Sequence, residues 1–225
     1  MVRRLIITIA VWLAFMAALL FGAAGTLDWR PAWTFLMEML VGGLAVFLWL
    51  LRHNPDLLRE RLASPFQKQQ VFSDKIFMPL VTIVWCGWIV LMGLDAERWK
   101  TSWMPDTWHI VGALLVVLCF VMTWFTFREN SFAAPVIKIQ KERGQKVISS
   151  GPYRYVRHPM YVGAVLYFIG VPLQLGSWLG LLCAPLLIGG VVIRIGIEER
   201  ALRKDLLGYD EYAAEVHYRL IPGVW

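Results

Sequence analysis

Ser150-Gly-Pro-Tyr-Arg-Tyr-Val-Arg-His-Pro-Met-Tyr-Val-Gly163 leads into a run of 35 uncharged residues, Pro159 to Ile193, and the reading of that run decides the fold. As a single helix it would be about 52 Å long at 1.5 Å per residue, well over a hydrocarbon core of about 30 Å. Gly170, Pro172, Gly176 and Ser177 supply a break near its middle. The spacing predicts a hairpin of two helices, about 160–174 and 178–197. One tilted, kinked helix followed by a buried segment is the competing reading. The polar stretch before the run is unusual for a plain anchor. Two arginines, a histidine and three tyrosines gather where Pro159 starts a helix, and polar groups at a bilayer boundary are costly unless they bind something. A helix start offers unpaired amide N–H groups and the positive end of a dipole, which suit an anionic group such as a ligand carboxylate. The stretch reads as a binding site at a membrane surface.

Four further apolar runs precede it: Leu5–Leu27, Pro31–Leu51 (interrupted only by Glu38), Ile76–Leu94 and Thr107–Phe127. Each has about the 20 residues a spanning helix needs. With 58% hydrophobic and 17% charged residues among 225, and twelve tryptophans, several near run ends, the chain reads as an integral, multi-pass membrane protein. Arg3, Arg4 and the small residues Gly22-Ala-Ala-Gly25 outline a signal peptide. The uncharged stretch nevertheless exceeds the roughly 7–15 residues of such a segment and more spans follow, so a retained first span is expected.

Lysine and arginine placement orients the spans. With the N-terminus inside, Arg3 and Arg4, five basic residues in 52–75, seven in 128–157 and five from Arg194 onward make nineteen inside. Arg30, Arg98 and Lys100 make three outside. This bias predicts cytoplasmic N- and C-termini. Topology and anionic headgroups account for the net charge of +6, so no nucleic-acid partner is expected. Cys86, Cys119 and Cys183 fall inside spans with no His–Cys spacing, which predicts neither disulfide nor metal.

The first half, 1–127, reads as a four-span scaffold; 128–225 carries the polar information. Asn54 to Arg61 reads as a capped amphipathic helix at the interface. Arg128 to Arg157 is a long connector with two alternating pieces, Pro135–Gln140 and Gln145–Ile148, around a turn at Lys141–Gly144. Arg194 and Glu198 stand four apart on one helix face where the last span leaves the bilayer. The two hairpin ends therefore place His158, Tyr161, Arg194 and Glu198 at similar depth.

These residues resemble the isoprenylcysteine carboxyl methyltransferase family of integral membrane methyltransferases, in its bacterial-type form. The resemblance covers roughly Asn130 to Pro222 and has three parts: Gln140 with the basic turn after it; Ser150 to Gly163; and Arg194-x-x-x-Glu198-Glu199 followed by Gly208-Tyr-Asp-Glu-Tyr212. It implies a fold of about five to six transmembrane helices, all-α, with a C-terminal helical hairpin, a cytoplasmic cofactor pocket and a C-terminal helix. It also implies S-adenosyl-L-methionine as methyl donor, leaving as S-adenosyl-L-homocysteine, and a lipophilic or lipidated acceptor such as a prenylated cysteine carboxylate. A bacterial inner membrane is the implied location. Carried over position by position, the residues around the cofactor are Gln140, Gln145, Lys146, Val147, Ile148, Tyr153, His158, Pro159, Met160, Tyr161 and Glu198, with Arg194 toward the acceptor. The turn between Gln140 and Gln145 is shorter than in eukaryotic members. The residue chemistry agrees: His158 and a helix start suit a carboxylate, Glu198 accepts from an ammonium or ribose hydroxyls, and Tyr153 and Tyr161 suit adenine or a sulfonium. No glycine-rich strand-to-helix turn supports a Rossmann cofactor fold.

Plainer readings compete. His158 beside Arg157 would equally meet lipid phosphates, and Arg194 with Glu198 would make an ordinary helix ion pair with a snorkelling arginine. Glu38 is an isolated intramembrane carboxylate for which pairing with another span is at least as good an account as function. A membrane NADPH-dependent reductase of the sterol reductase type shares Arg-His-Pro-x-Tyr but needs more spans. A transporter or other non-enzymatic membrane protein would place polar groups at mid-bilayer depth, and here nearly all lie toward one side.

Overall fold

In a computed structural model, residues 2–67 and 69–225 are described, and among them the secondary structure is all helical. The four early runs form α1 (Val2–Ala24), α2 (Arg30–His53), α4 (Phe72–Gly93) and α5 (Asp106–Glu129). Between α2 and α4 lies α3 (Pro55–Arg61), capped by the Asn54 side chain, which accepts from Leu57 N at 3.2 Å. The long final run is α6 (Pro159–Leu175) and α7 (Trp178–Asp205), and α8 (Tyr209–Glu215) follows. Five of these helices, α1, α2, α4 with its extension to Arg98, α5 and α7, are long and apolar enough to cross a bilayer; α6 is a shorter apolar helix. The chain is an all-α, multi-pass membrane protein.

The hairpin turns where backbone chemistry permits. Helix α6 runs through Gly170 and Pro172 and stops only at Gly176, whose φ of 82° is the left-handed conformation that closes a helix. Ser177 then caps α7 by accepting from Gly180 N at 2.9 Å. The break thus lies at the end of the Gly170–Ser177 stretch, because Pro172 costs α6 one internal bond without ending it. Asp95 fixes this turn from α4's side. It is fully buried and accepts from Ser177 Oγ (2.5 Å), Ser102 Oγ (2.6 Å), Leu179 N (3.2 Å) and the Thr101 hydroxyl. One carboxylate with four donors holds the hairpin tip against the loop after α4.

Helices α5 and α6 lie along one another at backbone contact. A Cβ on Gly112 would come within 2.2 Å of Gln174 N and 2.5 Å of Gly170 O, and one on Gly170 would meet Gly112 O at 2.8 Å. In lipid, small residues let helices approach and gain van der Waals contact. Gly112→Ala is therefore expected to cost about 1–3 kcal/mol by overpacking against backbone that has no room to move, read as a lowered unfolding temperature in detergent. The intramembrane Glu38 is paired across spans: Gln174 Nε2 donates to its carboxylate at 2.9 Å.

Cys86, Cys119 and Cys183 are free thiols in α4, α5 and α7. The connector pieces 135–140 and 145–148 form no sheet; Lys141–Arg143 makes a 3-10 turn closed by Gly144 at φ 61°. Helix α7 continues to Asp205, well past Ile193 where the uncharged run ends, and its later turns carry Glu198 and Glu199.

Candidate functional site

The start of α6, the polar end of α7, the connector after α5 and the α8 segment converge on one cavity. Eleven of the twelve residues singled out from the sequence line it: Gln145, Lys146, Val147, Ile148, Tyr153, His158, Pro159, Met160, Tyr161, Arg194 and Glu198. Gln140 does not. Its side chain is fully buried beside the cavity, donating to Phe132 O at 2.8 Å and accepting from Arg143, while its backbone N–H reaches Gln145 Oε1 at 2.7 Å. Gln140 therefore shapes the connector that supplies 145–148. Asn130, Tyr209 and Tyr212 line the cavity too; they fall within the stretch that carries the resemblance, which gave them no site role.

The two hairpin ends meet. Tyr161 OH donates to Glu198 Oε2 at 2.7 Å, and His158 Nε2 stands 3.3 Å from Glu199 Oε1. Neighbouring carboxylates on α7 thus have different duties. Glu199 is 5% exposed and gathers three partners: Arg157 Nε at 2.9 Å, His158, and Arg219 Nε at 3.0 Å. Arg157 also donates to Ala213 O and Val216 O, and the Arg157 and His158 amides donate to Tyr218 O and Arg219 O. Glu199 is the knot tying the hairpin to the C-terminal segment. A neutral His158 must carry its proton on Nε2 to donate to Glu199, which leaves Nδ1 as an acceptor. Nε2 is thereby committed to Glu199 and not to a ligand carboxylate.

Arg194 does not pair with Glu198, although the two share a helix face. Its Nε donates to Asp74 Oδ1 at 3.2 Å and Nη2 to Pro135 O at 2.7 Å, with the guanidinium carbon 5.9 Å from the Tyr161 ring centre. Two of five N–H donors are used, which leaves three for another group. Asp74 is fully buried and also accepts from Gln70 Nε2 (2.8 Å) and Ile137 N (3.0 Å). It orients Arg194 and anchors the connector at once. Sequence reading passed over it because its partners lie 63 and 120 positions away. The available signal was an acidic residue in the first turn of a span, a costly place for an unpaired charge.

Arg61 on α3 adds a second guanidinium close by. It sits 4.6 Å over the Phe127 ring and donates to Ala133 O at 3.0 Å. Burial, with nearby Arg194, pulls its pKa down to about 10, so it remains a cation at neutral pH. Part of the cavity wall is aromatic. Burial pushes the phenols of Tyr153, Tyr209 and Tyr212 above the ordinary tyrosine range, so all three stay protonated. Asn130 Nδ2 donates to Tyr153 OH at 2.8 Å, and Tyr212 OH donates to Tyr153 O at 2.7 Å.

The cavity thus offers a carboxylate acceptor, a tethered arginine and an aromatic wall within one enclosure. Its volume, ≈ 100 Å³, is below the roughly 300–1,000 Å³ of pockets that hold drug-sized ligands.

Comparison with known proteins points the same way. Residues 107–206 match the family model described as phospholipid methyltransferase. The chain is 32% identical over 123 residues to the "Probable protein-S-isoprenylcysteine O-methyltransferase" of Oryza sativa subsp. indica and to its namesake in subsp. japonica. The aligned stretch is 54% of this chain and 61% of each relative, so the chain spans about three fifths of the length of the curated relatives it matches. The resemblance to membrane methyltransferases seen in the motifs is borne out, and residues 107–206 carry it.

Proposed function

We propose that this protein is an integral membrane methyltransferase that moves the methyl group of S-adenosyl-L-methionine to a lipophilic acceptor. The observation that carries the reading is the meeting of His158, Tyr161 and Glu198, from the two ends of one hairpin, around a cavity also lined by 145–148, in a chain similar to methyltransferases. In this reading 1–127 is chiefly the membrane scaffold and 128–225 the catalytic region, with Asp74 and Arg61 as the scaffold's contribution.

The donor set fits S-adenosyl-L-methionine. When bound, the cofactor supplies an activated sulfonium methyl. Glu198, already held by Tyr161 at one oxygen, accepts from the ammonium or ribose hydroxyls with its other lone pairs. The backbone of Gln145, Lys146, Val147 and Ile148 with Tyr153 forms a wall for the nucleoside, and Pro159 and Met160 form the floor at the helix start. The Met160 amide lies in the first turn of α6, where an N–H suits a ligand carboxylate. Gln140 acts from behind through Gln145. The narrow cavity must widen to admit such a ligand, and the α7–α8 turn at Leu206–Gly208 is the place to yield: Leu207 is 97% exposed.

Arg194 holds the acceptor. With Asp74 and Pro135 fixing its plane, the remaining N–H groups present a charge-assisted fork to a carboxylate, and such an acceptor needs no general base. A prenylated cysteine carboxylate, or a related lipid-like acid, is the acceptor this arrangement suits. The clustering of basic residues in the segments around the site supports a position at the cytoplasmic face of a bacterial inner membrane.

The test is transfer of labelled methyl from S-adenosyl-L-methionine by purified protein, offered S-farnesyl-N-acetylcysteine or phosphatidylethanolamine in mixed micelles. Label in the base-labile ester of the farnesyl thioether supports the reading. Label in the phospholipid headgroup would replace the acid acceptor by an amine, and label in neither would overturn it.

A further inference from the structure

Three tyrosines line the aromatic end of the cavity, and their hydroxyls are not equivalent. Asn130 Nδ2 donates to Tyr153 OH at 2.8 Å, and Tyr212 OH donates to Tyr153 O at 2.7 Å. Tyr209 is 4% exposed, and its hydroxyl has no hydrogen-bond partner among the described residues. Its ring is well accounted for: it packs on Tyr212, with ring centres 5.9 Å apart, among Val147, Leu202 and Leu206. A phenylalanine would make every one of those contacts without burying a lone hydroxyl, which is costly to leave unpaired. The charged groups nearest to it are otherwise engaged, Arg157 with Glu199 and Glu198 with Tyr161.

We propose that Tyr209 is a ligand-recognising residue whose hydroxyl hydrogen-bonds the polar edge of a heteroaromatic base seated at this end of the cavity. The surroundings select the chemistry: one aromatic face, three aliphatic side chains and a single hydroxyl suit a flat ring with polar atoms on its rim. The inference rests on the reading of the site as one for S-adenosyl-L-methionine, and it assigns the adenine to the Val147–Tyr209–Tyr212 end and the methionyl part to the His158–Glu198 end. Tyr209 reaches the base as the lining parts to admit it, since it sits directly after Gly208, whose φ of 83° marks the turn into α8.

The test compares Tyr209→Phe with wild type in two measurements. Without ligand, the unfolding temperature in detergent is expected to stay the same or rise, because a buried unpaired hydroxyl is removed. Affinity for S-adenosyl-L-homocysteine is expected to fall about five- to tenfold, the worth of one neutral hydrogen bond. The same loss is expected for 5′-methylthioadenosine, which keeps the base and lacks the amino acid. Unchanged affinity for both ligands, or a lowered unfolding temperature with unchanged affinity, makes Tyr209 a packing residue and overturns the proposal. A loss confined to S-adenosyl-L-homocysteine overturns the base assignment. Failure of the wild type to bind either ligand overturns the functional reading as well, which separates the two failures.

Discussion

Glu199→Ala is expected to lower the unfolding free energy by about 3–5 kcal/mol and to abolish ligand binding, the largest effect of any single substitution at the site. Glu199 is 5% exposed and is the shared acceptor of Arg157, His158 and Arg219. Its removal leaves the Arg157 guanidinium buried with only the carbonyls of Ala213 and Val216. Breaking a buried ion pair from one side costs far more than the pair is worth, because the remaining charge stays desolvated. The damage also spreads, since the same knot holds the C-terminal segment over the start of α6. Glu199→Gln keeps two acceptor lone pairs and loses the charge, so it should fall between wild type and alanine. Thermal unfolding in detergent reads the order, and an alanine variant as stable as wild type would show that the knot does not hold the segment.

The adjacent carboxylate should behave differently. Glu198→Ala removes a partly buried partner of Tyr161 and leaves Glu199's network intact, so the fold should survive. Affinity for S-adenosyl-L-homocysteine should drop about 10- to 100-fold, from the roughly 1.5–3 kcal/mol of a hydrogen bond to a charged group. Arg194→Lys is the complementary variant. It keeps a cation for the fully buried Asp74 and loses the planar fork that also reaches Pro135 O. Donor affinity should stay within about threefold of wild type, while kcat falls about 10- to 100-fold as the acceptor loses its bidentate seat. Wild-type donor affinity and turnover in both variants would eliminate the roles assigned to Glu198 and Arg194.

The helices were legible in the chain because hydrocarbon imposes a length on them. Runs such as Leu5–Leu27 and Thr107–Phe127 need no partner to be recognised, and α1 and α5 cover them within a few residues. The hairpin was legible for a local reason, since a left-handed glycine followed by a serine cap ends one helix and starts the next. The position of the break within Gly170–Ser177 was less so. A proline inside a span is tolerated when neighbouring helices pack around it, and α5 does so here.

At the site, motif residues close in sequence to the hairpin ends were found, and those joined only through space were not. Asp74 binds Arg194 across 120 positions, and Arg61 reaches Ala133 across 72. Neither has a local pattern that announces its partner. Gln140 shows the converse: the resemblance put it at the ligand, and tertiary packing buries it one layer behind, where it braces Gln145. Glu198 and Glu199 are adjacent in the chain and about 100° apart around the helix, so a motif that names both does not divide their work.

In the proposed function the two ends of the α6–α7 hairpin enclose a single methyl-donor nucleoside. Calorimetric titration of the purified protein with S-adenosyl-L-methionine, S-adenosyl-L-homocysteine and NADPH tests it most directly. One site per chain is expected for each of the first two ligands, with no heat of binding for NADPH. Saturable binding of NADPH with none for either sulfur nucleoside would contradict it.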